Sequence, residues 1–138
     1  MNDLELAKKI LKENDLTLVF VKDGKIIFKG KSEGMKDLVL VVDRLGSQLR
    51  NSSVADSVVG KAAASLFILS KINSVFAGKI SETAVAELKE KSIYFEFDEI
   101  VERILNKDGT DTCPFEKIAL PSKSPEETYK KIKSFLKL

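Results

Sequence analysis

Hydrophobic and polar positions along the chain follow two periods, one typical of helices and one typical of strands. Residues 2–14 predict an amphipathic helix whose apolar face consists of Leu4, Ala7, Ile10 and Leu11. Two β-prone apolar runs follow at residues 16–22 and 25–29. The Asp23-Gly24 pair between them is a strong short signal for a tight turn. The first third of the chain therefore predicts a helix followed by a β-hairpin.

The remaining pattern predicts helices and strands in alternation. Helices are expected at residues 35–49, 60–71, 81–91, 99–105 and from 124 onward, and strands at 54–59, 73–79 and 93–97. Residues 38–42 taken alone would equally fit a buried strand, but the longer helical spacing favours a helix. The apolar face of the last helix is expected to hold Thr128, Ile132, Phe135 and Leu136. The aromatic run at residues 94–97 is interpreted as core, because alternation along a strand gives it an inner face.

This order of elements predicts a three-layer α/β/α sandwich with a mixed sheet, in which the hairpin is antiparallel and the later strands are parallel. The 138 residues suit one domain spanning residues 1–138, and no repeat or linker divides them. We therefore expect a single α/β domain.

Composition excludes several classes of function. The net charge is only +2, from 23 basic and 21 acidic side chains, so no nucleic-acid partner is expected. Histidine is absent and Cys113 is the single cysteine, which excludes Ser-His-Asp triads, Cys-His dyads and Cys/His zinc sites within one chain. Charged residues interrupt the beginning of the chain, and no apolar run is long enough to span a bilayer. We expect a cytoplasmic protein without a membrane partner.

The segment at residues 55–64 is the most informative stretch for function. A β-branched run containing Asp56 passes through Gly60 into an alanine-rich helix with Lys61 in its first turn. Helix N-termini favour anions, so a lysine there suggests a phosphate or carboxylate ligand, although a surface lysine covering apolar neighbours also fits. Asp56 is expected to pair with Lys61 or to cap the turn.

A second candidate segment lies at residues 112–116. Pro114 suits the first position of a helix and Glu116 its first turn. Cys113 could act as a nucleophile, because a thiolate forms more readily beside a lysine or a helix N-terminus. The alternative is that Cys113 is a small apolar residue that fills space in the core.

The two segments Val58-Val59-Gly60-Lys61-Ala62-Ala63-Ala64 and Thr112-Cys113-Pro114-x-Glu116, in this order of elements, resemble a prokaryotic family of unknown function, DUF1893. That family is grouped with the cytidine deaminase-like fold. The resemblance spans nearly the whole chain. It implies an α/β/α sandwich with its site at two helix N-termini.

Zinc deaminases begin one helix with a His/Cys-x-Glu motif and the next with Pro-Cys-x-x-Cys. The resemblance implies that the corresponding helices of this chain begin at Gly60 and Ser81, and neither carries a zinc-ligand pattern. Glu82 is the one possible ligand there, and a single carboxylate does not hold a catalytic zinc. Cys113 follows the next strand and is not the same element. We expect no metal, no other cofactor and no hydrolytic deamination by the usual mechanism.

Together these features predict a non-zinc, deaminase-like domain that binds a small anionic ligand in a cleft at helix N-termini. The expected ligand-binding residues are Asp56, Gly60, Lys61, Ser81, Thr83 and Glu116, and the candidate catalytic residues are Cys113 and Lys61. Both a binding module and an enzyme fit these residues.

The alternative is a structural or regulatory protein that forms homo-oligomers and keeps only a vestigial cleft. An open pocket lined by Lys61, Thr83 and Cys113 would favour ligand binding. A cleft filled by Phe or Leu side chains would favour the alternative.

Overall fold

The computed structural model describes residues 1–138 and contains five strands and six helices. The strands are β1 (Leu18–Lys22), β2 (Lys25–Gly30), β3 (Ser53–Val59), β4 (Ser74–Ser81) and β5 (Tyr94–Val101). The helices are α1 (Asp3–Glu13), α2 (Lys36–Leu45), α3 (Lys61–Leu69), α4 (Glu82–Glu90), α5 (Pro114–Ala119) and α6 (Pro125–Leu136). A short 3-10 turn at Gly46–Leu49 extends α2.

The strands form one mixed sheet in the order β2-β1-β3-β4-β5. The hairpin pair β1 and β2 is antiparallel, β1 is antiparallel to β3, and β3, β4 and β5 are parallel. Asp23 and Gly24 have φ angles of 51° and 77°, which suit the tight turn expected between the hairpin strands. The predicted α/β sandwich with a mixed sheet is confirmed.

Helices cover both faces of the sheet. On one face α1 packs on β1, β3 and β4 through the buried cluster Leu4, Ala7, Leu11, Val19, Val21, Ala55 and Phe76. On the other face α2, α3 and α4 share the larger core with the sheet, and α5 and α6 pack on α3. All residues from 62 to 67 of α3 are buried, because this helix has neighbours on every side. None of the helices is both long and apolar enough to cross a membrane.

The expected helix at residues 99–105 is wrong. β5 continues to Val101, which pairs with Ser81 in the parallel ladder with β4. The chain then bends into a loop closed by a single bridge between Leu105 and Thr112. Pairing with β4 gives this segment backbone hydrogen bonds within a stable sheet, whereas a short isolated helix is only marginally stable, so the tertiary pairing overrides the local pattern.

Three aromatic side chains expected in the core are exposed. Tyr94 and Phe97 of β5 are 60% and 42% exposed, and Phe135 of α6 is 56% exposed. β5 is the edge strand, and α1 packs on β1, β3 and β4 rather than on β5. The missing cover by α1 accounts for the exposure of Tyr94, which shares its face with Glu96, whereas Phe97 lies on the face of the larger core at the open edge of the sheet.

Candidate functional site

A cleft of about 950 Å³ opens at the carboxyl end of β3. Its walls come from the start of β1, the loop from β2 to α2, the starts of α3 and α5, and the loop that follows β5. Open α/β sheets commonly bind ligands in a crevice at the carboxyl ends of their strands. Four of the sequence-predicted site residues line this cleft: Asp56, Gly60, Cys113 and Glu116.

Asp56 is the cleft carboxylate with the most unusual environment. It is half-buried near the end of β3, and its Oδ1 accepts a hydrogen bond from the Val58 amide at 3.2 Å. Burial raises the pKa of Asp56 to about 7, against the opposing effect of hydrogen bonds from the Val58 and Ser57 amides. A carboxyl group that titrates near neutral pH can both accept and donate a proton, so it suits general acid–base chemistry.

The pairing of Asp56 with Lys61 is not found. The Asp56 carboxylate takes the second expected role, because it accepts a hydrogen bond from the backbone two residues further on. No ion pair of the protein includes Asp56. This missing cation is the reason that burial is not offset and the pKa of Asp56 stays high.

The N-terminus of α3 is capped by a side chain from a distant helix. The Glu116 carboxylate of α5 accepts hydrogen bonds from the Lys61 and Ala62 amides, both at 2.8 Å. Glu116 is only 4% exposed, and burial raises its pKa, while these two amides and the Lys61 charge act to lower it. The anion at this helix start is therefore part of the protein. A free anionic ligand would have to displace it.

Gly60 allows Glu116 to come this close. A Cβ atom at position 60 would overlap the Glu116 carboxylate, although the backbone φ of −105° is ordinary for any residue. The glycine is thus required by the approach of the carboxylate and not by a turn. Gly60 and Glu116, which were both predicted to bind a ligand, are therefore in contact with each other.

The Lys61 side chain points away from the cleft. Its ammonium donates hydrogen bonds to the Leu120 and Ser122 carbonyls at 3.1 and 3.2 Å, and it lies 3.8 Å from a Glu87 carboxylate oxygen. Leu120 is the C-cap of α5, whereas Cys113 is its N-cap. The ammonium therefore lies at the opposite end of α5 from the cysteine that it was expected to activate.

Replacing Lys61 with methionine is expected to lower the free energy of unfolding by about 1–2 kcal/mol, because two carbonyl acceptors lose their donor while the apolar stem is kept. Urea denaturation measures the effect. The matched control is Lys79→Met, at an exposed lysine on β4 that has no ion pair. An equal loss in both variants would contradict the structural role of the Lys61 ammonium.

The remaining predicted residues are divided between the cleft and its surroundings. Cys113 is half-buried at the cleft, and its amide donates to the Ile104 carbonyl at 3.0 Å. Ser81 is buried, and its hydroxyl accepts a hydrogen bond from the Ala84 amide at the start of α4. Ser81 and Thr83 are not among the residues that line the cleft. The second helix start is thus separate from the first.

Most of the charge in the cleft is negative. Five carboxyl groups and a single ammonium line it, and that ammonium, Lys107, pairs with Glu33 at 2.8 Å. This exposed ion pair joins the loop after β2 to the loop after β5. The Asp37 carboxylate accepts a hydrogen bond from the Ser32 amide. No group of three or more Asp, Glu or Cys side chains is arranged to hold a metal ion.

Sequence reasoning missed several residues that line the cleft, notably Thr17, Asp37 and Lys107. They lie just before β1, on α2 and in the loop after β5. Their sequence neighbourhoods carry no motif, and only the sheet order brings them together. The antiparallel pairing of β1 with β3 places Leu18 opposite Asp56 and so brings the start of β1 to the cleft.

A family model described as a domain of unknown function, DUF1893, matches residues 6–136. The chain belongs to the DUF1893 family. A DUF1893 family protein from Thermotoga maritima has 37% sequence identity and a TM-score of 0.89, with 97% of this chain and 90% of that chain covered. The resemblance expected from the sequence is confirmed.

One more distant structure shares the fold of this DUF1893 protein, and a second is less similar. Acinetobacter baumannii RibD, at 16% identity, has a TM-score of 0.52 over 70% of this chain and 34% of its own. A Thermotoga maritima diaminohydroxyphosphoribosylaminopyrimidine deaminase/5-amino-6-(5-phosphoribosylamino)uracil reductase, at 22% identity, has a TM-score of 0.48 over 70% and 34%. The chain thus spans about a third of each. No curated protein matches the chain. The comparisons establish the family and a deaminase-like fold.

Proposed function

We propose that this DUF1893 protein binds a small molecule in the β3 cleft, and that Asp56 holds a cationic or hydrogen-bond-donating nitrogen of that molecule. The observation that carries the proposal is the Asp56 carboxylate, which lines an open cleft and has no cationic partner in the protein. A cleft of about 950 Å³ has the size of a small-molecule site.

The charge of the cleft favours this ligand over the anion expected from the sequence. Both oxygens of Glu116 already bind the amides of α3, and the one ammonium at the cleft is paired. A cleft whose walls carry mainly one sign of charge concentrates ligands of the opposite sign. An anionic ligand would therefore meet repulsion without a free donor cluster to offset it.

The open state of the cleft also favours ligand binding over a vestigial site. Apolar lining residues such as Leu18, Leu38 and Phe115 form walls, and a large space remains between them. Cys113 lines this space as expected for a ligand site, although Lys61 and Thr83 do not. The apolar walls suit the body of a small molecule, and the carboxylates suit its polar nitrogen.

Benzamidine and benzoate are probes of matched shape and opposite charge. We expect benzamidine to shift the amide NMR signals of Val58 and Ala63, with an affinity that rises as the pH increases through about 7, because the ionised form of Asp56 binds the cation. Asp56→Asn should weaken binding about tenfold, or about 1.4 kcal/mol, and remove this pH dependence. Asp108→Asn, at an exposed carboxylate of the same cleft, is the matched control.

The contrary outcomes are distinct. Preferential binding of benzoate or inorganic phosphate at the start of α3 would contradict this proposal and support the anionic ligand expected from the sequence. If a fragment collection produced no shift at any cleft amide, the oligomerising protein with a vestigial cleft would become the better hypothesis.

A further inference from the structure

Two loops that leave opposite edges of the sheet meet at the cleft. β2 and β5 are the edge strands, and β3 lies midway between them. A row of paired residues crosses all five strands: Gly30, Leu18, Asp56, Ala77 and Phe97. At four strand spacings of about 4.8 Å this row is about 19 Å wide. Since β2 and β5 both run in the direction of β3, the loops that follow them leave the same end of the sheet, and both line the cleft.

One ion pair joins these two loops. A Glu33 carboxylate oxygen lies 2.8 Å from the Lys107 ammonium, and no other hydrogen bond or ion pair connects the loop after β2 with the loop after β5. The hydrogen bond from Lys107 lowers the pKa of Glu33, and the hydrogen bond to Glu33 raises the pKa of Lys107. The two side chains are 70% and 84% exposed, so the pair lies at the rim of the cleft and not on its floor.

Each loop also has hydrogen bonds that do not involve the ion pair. In the loop after β5, the Asn106 side-chain oxygen accepts hydrogen bonds from the Thr110 and Asp111 amides at 3.0 and 3.4 Å. In the loop after β2, the Ser32 carbonyl accepts a hydrogen bond from the Thr17 hydroxyl at 2.9 Å. The loops therefore keep their own bonding when the ion pair separates.

We propose that the ion pair between Glu33 and Lys107 is a latch across the mouth of the cleft, which separates to admit a molecule and re-forms behind it. An exposed ion pair changes such an equilibrium by about twofold to fivefold, so the open and closed forms are both populated. Dissolved salt screens exposed charges and shifts the equilibrium towards the open form. The latch rests on the proposed use of the cleft for a ligand, but its test needs no ligand, so either proposal can fail alone.

The thiol of Cys113 reports on the opening of the latch, because it is half-buried and lines the cleft. N-ethylmaleimide and N-pyrenylmaleimide are uncharged and share one reactive group, but they differ in size. Both react with the thiolate, so the ratio of their rates cancels any change in the ionisation of Cys113. A latch that controls entry should slow the larger reagent more than the smaller one.

Lys107→Gln removes the latch without disturbing a buried group. It should raise the rate of N-pyrenylmaleimide relative to N-ethylmaleimide about twofold to fivefold. Salt at about 1 M should produce the same rise in the parent and little further change in the variant. Measurement of both rates at low and high salt, on the whole protein, gives the comparison.

Two further variants separate the ion pair from the charge of the protein. Glu33→Lys with Lys107→Glu exchanges the charges and should return the rate ratio to that of the parent. Lys131→Gln is the matched control, because it removes one exposed ammonium that pairs with Glu127 within α6. That variant should keep the parent ratio.

Several results would overturn the latch. The first is an equal rate ratio in the parent and in Lys107→Gln, and the second is an equal rise in Lys131→Gln. An exchanged pair that behaves like Lys107→Gln would mean that the two charges do not act together. A Cys113 thiol that reacts with neither reagent in any variant would mean that separation of the pair does not open the cleft.

Discussion

Replacing Asp56 with asparagine is expected to raise the free energy of unfolding at pH values above about 7, and to leave it nearly unchanged in acid. Burial raises the pKa of Asp56 from 3.8 to about 7, so the folded state keeps a proton that the unfolded state releases. The stabilisation from this proton is complete below about pH 4 and is lost as the pH rises to about 7. At about 1.4 kcal/mol for each pKa unit, the loss reaches at most about 4 kcal/mol.

Urea denaturation of the parent and of Asp56→Asn across this pH range measures the difference. The asparagine keeps an oxygen that can accept the Val58 amide, so the hydrogen bond within β3 is preserved. Asp108→Asn is again the control, because that carboxylate is exposed on the same cleft. Parallel pH profiles for the parent and Asp56→Asn would show that Asp56 is solvated well enough to ionise normally.

The second large effect is expected at Glu116. Glu116→Ala removes the acceptor of two amides at the buried start of α3, and each unsatisfied buried donor costs about 1–3 kcal/mol. Since the variant also relieves the burial of a carboxylate, we expect a net loss of about 2–4 kcal/mol in the free energy of unfolding. Glu116→Gln keeps one acceptor oxygen and should lose about half as much.

Thermal and urea denaturation would measure the Glu116 series. Glu126→Ala is a suitable control, because Glu126 is an exposed acid in the first turn of α6 and tests the loss of a charge at a helix start without burial. Losses of the same size in the two alanine variants would mean that the amides at the start of α3 find other partners or water.

Much of the fold could be predicted because its signals are local. The Asp23-Gly24 turn, the Asn2 and Ser124 caps and the apolar runs of β3 and β4 depend on near neighbours, and the structure has each of them. The helix expected at residues 99–105 failed for the opposite reason. Residues 99–101 belong to β5 because β4 pairs with them, and β4 lies about twenty residues earlier in the chain.

The candidate site shows the same division. Asp56, Gly60, Cys113 and Glu116 were chosen from two short motifs, and the structure places all four at one cleft. Sequence could not show that Glu116 binds the amides of α3, because that contact joins positions 55 residues apart. The expected ligand charge depended on those amides being free, so the interpretation of the site changes once they are occupied.

The contact between Glu116 and α3 also has a consequence for the order in which the protein can mature during synthesis. A chain leaves the ribosome from its N-terminus, so the amides of Lys61 and Ala62 emerge well before the residue that binds them. Until α5 and α6 are made, the outer side of α3 is a bare alanine- and leucine-rich surface. Stalled or truncated chains that end before residue 113 should therefore be prone to aggregation and depend on chaperones, even though they contain the complete sheet.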